Sequence, residues 1–174
     1  NSFYKMRDFY TAAYQFERFA SSYPKSEKQE EASFLSAKSY YMLSPVYSKD
    51  QKETVEAIEK LQAFINLNPE SEYNLEANKL VKELDFKLEK KAFEIAKQFN
   101  QISDYPASVR SFDNFIFDFP GSKLREEALY YRLDSAYKLA VNSVEVKRTL
   151  QSGLVYLKKK RLEEAKEYSE AFIK

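Results

Sequence analysis

The sequence of 174 residues contains no cysteine, no histidine and no tryptophan, and it has only two glycines. Without cysteine there is neither a disulfide nor a thiol nucleophile, and without histidine the commonest general base and most zinc ligands are missing. The glycines, Gly121 and Gly153, are too few to form a glycine-rich loop that binds phosphate. These absences predict that the chain is not an enzyme and that it binds no metal and no cofactor.

The sequence also has no large excess of one sign of charge and few long apolar runs. Lysine and arginine number 28 and aspartate and glutamate 27, so the net charge of +1 gives no field that would attract nucleic acid or an anionic membrane surface. The longest apolar runs, such as residues 115–117, are far shorter than the ~20 residues that a membrane-spanning helix needs. We therefore expect no nucleic-acid partner and no membrane-spanning segment.

Glycine and proline are too infrequent for a β-fold, in which turn signals recur every ~8 to 12 residues. The apolar residues instead recur with helical spacing, which predicts an all-α fold with helices over residues 3–21, 26–43, 52–67, 72–101, 105–118, 123–141, 144–159 and 161–174. Residues 73–102 contain neither glycine nor proline. One continuous helix of ~45 Å is therefore expected there.

Three prolines mark an internal repeat. Aligned on Pro24, Pro69 and Pro120, the sequence shows phenylalanine five residues before each proline, serine two residues after it and alanine six residues after the serine. Proline cannot donate an amide proton and disfavours helix in the preceding residue, so each Pro-x-Ser is expected to join two helices. Ser26 is expected to be the N-cap of the second helix, with Gln29 completing a capping box.

The repeat resembles the tetratricopeptide repeat. The matching positions around the third proline are Ala92, Ile95, Ala96, Phe99, Tyr105, Ser108, Phe112, Phe115 and Pro120. The resemblance implies a tetratricopeptide-repeat α-solenoid of antiparallel helix pairs with one long central helix, at 72–101. It also implies a single domain over 1–174, with an N-terminal half at 1–70 and a C-terminal half at 103–174. Because the sequence starts without methionine and stops within an amphipathic pattern, both ends are expected to be trimmed edges of a longer protein.

The 14 tyrosines and 14 phenylalanines are expected mainly in the core. In tetratricopeptide arrays the first helix of each pair lines a concave groove. Carried onto this chain, that arrangement assigns to a peptide groove Glu31, Phe34, Lys38, Tyr41, Lys90, Phe93, Lys97 and Asn100. Lysines beside aromatic rings suit a peptide with a carboxylate or aromatic side chains.

One basic run, at residues 158–161, concentrates positive charge. We interpret it mainly as a set of cations at the C-terminal end of a helix, where they stabilise the helix through its dipole. Contact with an acidic partner or with phospholipid headgroups is the alternative interpretation.

Longer stretches narrow the resemblance to one family. Residues 32–41 (ASFLSAKSYY), the run Phe119-Pro120-Gly121-Ser122 and the long helix between Pro69 and Tyr105 resemble the BamD-like tetratricopeptide lipoproteins of the machine that assembles outer-membrane β-barrels. The resemblance covers most of residues 8–140. The cysteine that carries the lipid anchor in that family is expected outside this chain, whereas the insertion at 44–53 and the region after Asn142 depart from the pattern.

The resemblance implies a non-enzymatic adaptor at the periplasmic face of the outer membrane. Its partners would be a BamA-like barrel subunit, which docks on the region from Ala128 onward with Arg132 and Lys138, and unfolded outer-membrane proteins, which reach the face that includes Glu31 and Lys38. The membrane would be reached only through the lipid anchor. The alternative is another tetratricopeptide adaptor, such as a cell-envelope scaffold or a receptor for chaperone tails.

Overall fold

Amphipathic segments joined by short turns form eight helices in the computed structural model, which describes residues 2–142 and 153–173. They are α1 (Ser2–Lys5), α2 (Phe9–Ser22), α3 (Gln29–Leu43), α4 (Lys52–Leu67), α5 (Asn74–Gln101), α6 (Tyr105–Asp118), α7 (Arg125–Asn142) and α8 (Gly153–Ile173). The predicted all-α solenoid of tetratricopeptide type is confirmed. Helices α4 and α6 begin and end at the predicted residues, and the long central helix is present as α5.

The first predicted helix, 3–21, is wrong because the chain turns between α1 and α2. Arg7 has a left-handed backbone with φ 61°, which ends α1, and the Asp8 carboxylate then accepts a hydrogen bond from the Thr11 amide at 3.2 Å. The same pair of features separates α5 from α6, where Ser103 has φ 66° and Asp104 accepts from the Ala107 amide at 3.2 Å. Asp8 could have indicated the start of α2 in the sequence, because aspartate is a favoured N-cap residue.

The predicted capping box at Ser26 and Gln29 is also wrong. The Ser26 hydroxyl accepts from the Lys28 amide at 3.2 Å, two residues on, and α3 starts only at Gln29. The other two Pro-x-Ser serines do the same, accepting from the amides of Tyr73 and Leu124 at 3.1 Å. Each serine therefore closes a turn before the helix instead of capping it.

The C-terminal helices differ from the prediction as well. Residues 144–152 of the predicted helix 144–159 lie outside the described residues, and α8 continues without a break through Lys160 and Arg161 into the predicted helix 161–174. The basic run at 158–161 is thus inside a helix and not at its C-terminal end. The helix-dipole interpretation of these cations does not apply, because the dipole acts within the last turn.

The chain forms two compact units, Asn1–Leu88 and Glu89–Lys174, and the boundary falls within α5. In unit 1, helices α3, α4 and the first half of α5 enclose one apolar core. Its buried members are Phe34, Ala37, Ala57, Leu61, Phe64, Ala77, Leu80 and Leu84. The Phe34 ring stacks on Tyr73 with ring centroids 4.8 Å apart.

In unit 2, the second half of α5 packs against α6 and α7. The buried apolar members of this core are Phe93, Ala96, Phe112, Phe115 and Ala128. Small residues allow the close approach: the Ser108 hydroxyl lies 3.1 Å from the Ala96 carbonyl, to which it donates, and 2.8 Å from the Ser135 hydroxyl. Among the described residues, every helix is too short or too polar to span a bilayer.

Truncating Phe112 tests the unit 2 core. Because Phe112 is 0% exposed, Phe112→Ala should lower the free energy of unfolding by about 3 to 5 kcal/mol in urea denaturation. Phe117→Ala is the matched control on the same helix, since Phe117 is 84% exposed and its loss should cost less than about 0.5 kcal/mol. Equal losses in the two variants would contradict this packing.

Candidate functional site

A row of polar side chains joins α3 to the first half of α5 along one edge of the unit 1 core. Lys38 Nζ lies 2.6 Å from Glu76 Oε1, and the Tyr41 hydroxyl donates to Glu83 Oε2 at 2.7 Å. One turn further on, Lys87 Nζ donates to the Ser44 hydroxyl at 2.6 Å. We call these six residues the unit 1 polar face.

Helical spacing explains why this row of polar residues lies beside the core residues of α3 and α5. Phe34 and Ala37 turn inward on α3 while Lys38 and Tyr41 lie at the rim, and on α5 the inward positions Ala77 and Leu84 are each next to a rim glutamate. The Lys38 ammonium also lies 5.6 Å from the centroid of the Phe34 ring. On this face the Lys38 ammonium is therefore held beside an aromatic ring.

Two ionisable groups of the unit 1 polar face have shifted pKa values. The hydrogen bond to Glu83, together with partial burial and the glutamate charge, raises the pKa of Tyr41 to about 12. Burial lowers the pKa of Lys87, although the nearby Glu83 charge opposes that change. Tyr41 therefore keeps its proton at neutral pH and donates it to Glu83.

Unit 2 has a corresponding row between the second half of α5 and α7. Lys97 Nζ lies 3.3 Å from Glu127 Oε1 and 4.8 Å from the centroid of the Tyr131 ring. The Asn100 amide donates to Asp134 Oδ2 at 2.9 Å and to the Ser135 hydroxyl at 2.7 Å. The sequence identified Lys97 and Asn100 as candidate site residues. It did not identify their acidic partners Glu127 and Asp134, which lie on α7.

An apolar groove between α1, α2 and α3 was missed by sequence reasoning. Its volume is ≈ 450 Å³, and it is lined by Phe3, Tyr4, Ala12, Gln15, Phe16, Phe19, Lys28, Glu31, Ala32 and Leu35. The exposed Phe19 ring lies on one wall, and Lys28 pairs with Glu31 at 2.9 Å on the rim. A second groove of ≈ 450 Å³ lies between α7 and α8, with the exposed rings of Tyr130 and Tyr137 on its wall.

A family model whose members are described as outer membrane lipoproteins, YfiO, matches residues 1–152 of this chain. The chain belongs to the YfiO family. No curated protein matches it. Membership supports an adaptor role at the outer membrane and agrees with the BamD-like resemblance in the sequence.

In this YfiO-family chain the predicted groove residues do not all share one surface. Phe34 and Phe93 are each 2% exposed and belong to the cores of units 1 and 2, so neither ring can line an open groove. Asn100 is buried as well, because its amide joins α5 to α7. The repeat spacing assigned these side chains to the groove side of their helices. In the structure that side packs against neighbouring helices.

The other five predicted groove residues keep some exposure. Lys38, Tyr41 and Lys97 lie in the two polar rows, where each contacts a glutamate. Glu31 instead lines the apolar groove and pairs with Lys28, and Lys90 is partly exposed on α5. A role for these residues in peptide binding stays a prediction.

The two residues predicted to dock a partner differ in how far they are exposed to solvent. Arg132 is mostly internal: its side chain is 12% exposed, its Nη1 lies 3.0 Å from Asp113 Oδ1, and its guanidinium carbon lies 4.1 Å from the centroid of the Tyr168 ring. It thus ties α7 to α6 and α8. Lys138 is more accessible and pairs with Asp134 at 2.6 Å, which raises the pKa of Lys138.

No group of three or more acidic residues among the described residues is arranged to hold a metal ion.

Replacing Glu83 should shift the titration of Tyr41. Glu83→Gln removes the charged acceptor, so the pKa of Tyr41 should fall from about 12 toward the ordinary value near 10. Phenolate absorbance measures the change, with Tyr41→Phe subtracted to isolate this tyrosine. Because the folded-state pKa is raised, the stabilising contribution is complete below about pH 10 and is lost as the pH rises through about 12. An unchanged titration in Glu83→Gln would contradict this hydrogen bond.

Proposed function

We propose that this chain is a non-enzymatic adaptor of outer-membrane β-barrel assembly, which docks to a BamA-like barrel subunit and helps to receive unfolded barrel proteins. The observation that carries the proposal is membership of the outer membrane lipoprotein family over residues 1–152. The BamD-like stretches in the sequence support the narrower role. Two surfaces with different chemistry, one in each unit, suit two partners.

The unit 1 polar face is the proposed site for the unfolded substrate. Its ion pair Lys38–Glu76 is partly exposed, and a pair of this kind contributes only about 0 to 1 kcal/mol. A peptide carboxylate can therefore replace Glu76 at the Lys38 ammonium at little cost. An aromatic side chain next to that carboxylate would pack beside the ring of Tyr41, which its hydrogen bond to Glu83 holds in place.

The groove between α7 and α8 is the proposed surface for the barrel subunit. Tyr130 and Tyr137 are exposed there although both are large and partly apolar, and such residues are enriched at protein interfaces. Lys138 pairs with Asp134, which lines the groove, and so adds a cation near its rim. Arg132 supports this surface from inside, since it holds α7 against α6 and α8.

Reversing the charge of Lys38 tests the substrate site. Lys38→Glu should weaken binding of a peptide that ends in phenylalanine with a free carboxylate by about tenfold, because one charge-assisted contact is lost. Isothermal calorimetry against the free-acid and amidated peptides measures the effect. The amidated peptide should bind weakly to both proteins.

Lys60→Glu is the matched control for this experiment. Lys60 also pairs with a glutamate, Glu17 at 2.8 Å, and lies over an aromatic ring, Tyr40 at 5.1 Å, but it joins α4 to α2 and is not in the unit 1 polar face. Its reversal should leave peptide affinity unchanged. Equal affinity of Lys38→Glu and the parent protein, or equal losses in the two variants, would remove the assignment.

The docking surface is tested by Tyr137→Ala combined with Lys138→Glu, with Arg132 left intact so that the helices stay packed. We expect the recovery of a barrel subunit co-purified from detergent-solubilised membranes to fall by about tenfold, as expected when an aromatic anchor is lost. Phe117→Ala removes another exposed ring, on α6, and should not change recovery. Undiminished recovery in the double variant would contradict docking at this groove.

A further inference from the structure

The two lysines of the unit 1 polar face are held by different kinds of partner. Lys38 Nζ lies 2.6 Å from the Glu76 carboxylate, so a contact with opposite charge balances it. Lys87 Nζ instead donates to the neutral hydroxyl of Ser44 at 2.6 Å. Of the acidic groups in the described part of the chain, only Glu83 affects the pKa of Lys87, through its charge and not through a hydrogen bond.

A chain of hydrogen bonds with one direction fixes the acceptor of Lys87. An ammonium group can only donate, so the Ser44 oxygen accepts from Lys87. Thr54 donates its single proton to Gln51 Oε1 at 2.8 Å, so Ser44 is the donor in the 2.6 Å bond between the Ser44 and Thr54 hydroxyls. The Gln51 amide then donates to the Val46 carbonyl at 2.9 Å. The Ser44 proton therefore points away from Lys87, and the Ser44 oxygen faces it.

Burial keeps this chain of hydrogen bonds in place. Thr54 is 0% and Gln51 is 6% exposed, and the Gln51 amide also donates to the Lys49 carbonyl at 3.0 Å. The insertion at residues 44–53 is thus tied to the start of α4 and, through Lys87, to α5. The position of the Lys87 ammonium is therefore set before any ligand binds.

We propose that Lys87 is a second carboxylate-binding position of the unit 1 polar face, which takes an aspartate or glutamate side chain of the unfolded substrate. The inference rests on the substrate site proposed above, where Lys38 binds the terminal carboxylate. A lysine ammonium has three donors, and the Ser44 hydroxyl accepts one of them. A carboxylate bound to a second donor makes a charge-assisted bond, which is stronger than the bond to a neutral hydroxyl.

The separation of the two lysines specifies the spacing of the two carboxylates. On α3, Lys38 and the cap residue Ser44 are about 9 Å apart along the helix, and on α5, Glu76 and Lys87 are about 16 Å apart, at ~1.5 Å per residue. An extended peptide advances ~3.3 Å per residue, so these limits correspond to about three to five residues. The substrate class is therefore an extended segment with an acidic side chain at that distance before its terminal carboxylate.

Two peptides that differ at one position test the role of Lys87. Both end in phenylalanine with a free carboxylate, and one has glutamate and the other glutamine about four residues before the phenylalanine. We expect the parent protein to bind the glutamate peptide about tenfold more tightly in isothermal calorimetry, because one charge-assisted contact is added. Lys87→Met should remove this preference and leave the affinity for the glutamine peptide unchanged.

Lys82→Met is the matched control, since Lys82 is an exposed lysine of α5 that lies outside the unit 1 polar face. It should keep the preference for the glutamate peptide. Equal binding of the two peptides by the parent protein, or an undiminished preference in Lys87→Met, would overturn the role of Lys87. The proposed substrate site would still stand if Lys38→Glu weakened binding of both peptides. Binding of neither peptide by the parent protein would overturn both proposals.

The pKa of Lys87 gives an independent readout in the parent protein, which does not depend on the folding of a variant. Burial lowers this pKa in the unbound protein, and a bound carboxylate should raise it because an opposite charge favours the ammonium form. In an NMR titration of the lysine side-chain nitrogens, the glutamate peptide should raise the pKa of Lys87 and the glutamine peptide should not. A purely structural Lys87 would titrate identically with the two peptides, and that result would contradict the proposal.

Discussion

Close approach of neighbouring helices is the constraint on which both units depend. The positions where helices approach closely hold small residues that are completely buried, among them Ala57, Ala77, Ala96, Ser108 and Ala128. A larger side chain at any of them would push the helices apart and uncover the phenylalanines beside them. A buried serine also adds a hydroxyl group that must be paired: within unit 2, Ser108 donates to the Ala96 carbonyl and Ser135 donates to the Tyr131 carbonyl.

Aromatic side chains fill the space that the small residues leave. Phe34 contacts Phe64 and Tyr73, and Phe93 contacts three rings of unit 2, so the rings that seemed suited to a ligand are committed to the core. In the proposed function, recognition therefore rests on the rims of the helices. There, partly exposed ion pairs such as Lys38–Glu76 and exposed tyrosines such as Tyr137 are the groups that a partner can reach.

One helix contributes a wall to both cores. The first half of α5 supplies Ala77, Leu80 and Leu84 to unit 1, and the second half supplies Phe93 and Ala96 to unit 2. Each half also carries polar residues of one row: Glu76 and Glu83 pair with α3, and Lys97 pairs with α7.

The sequence by itself determined the helical class, the proline-marked repeat and the long central helix, because helical periodicity and proline chemistry act locally. It also identified Lys38, Tyr41 and Lys97 as candidate groove residues. It did not separate α1 from α2, and it assigned Phe34, Phe93 and Arg132 to surfaces although they are internal. Only the tertiary structure decided those points, because a residue's burial depends on which helix packs against it, and residues such as Tyr73, Tyr131 and Tyr168 come from elements distant in sequence.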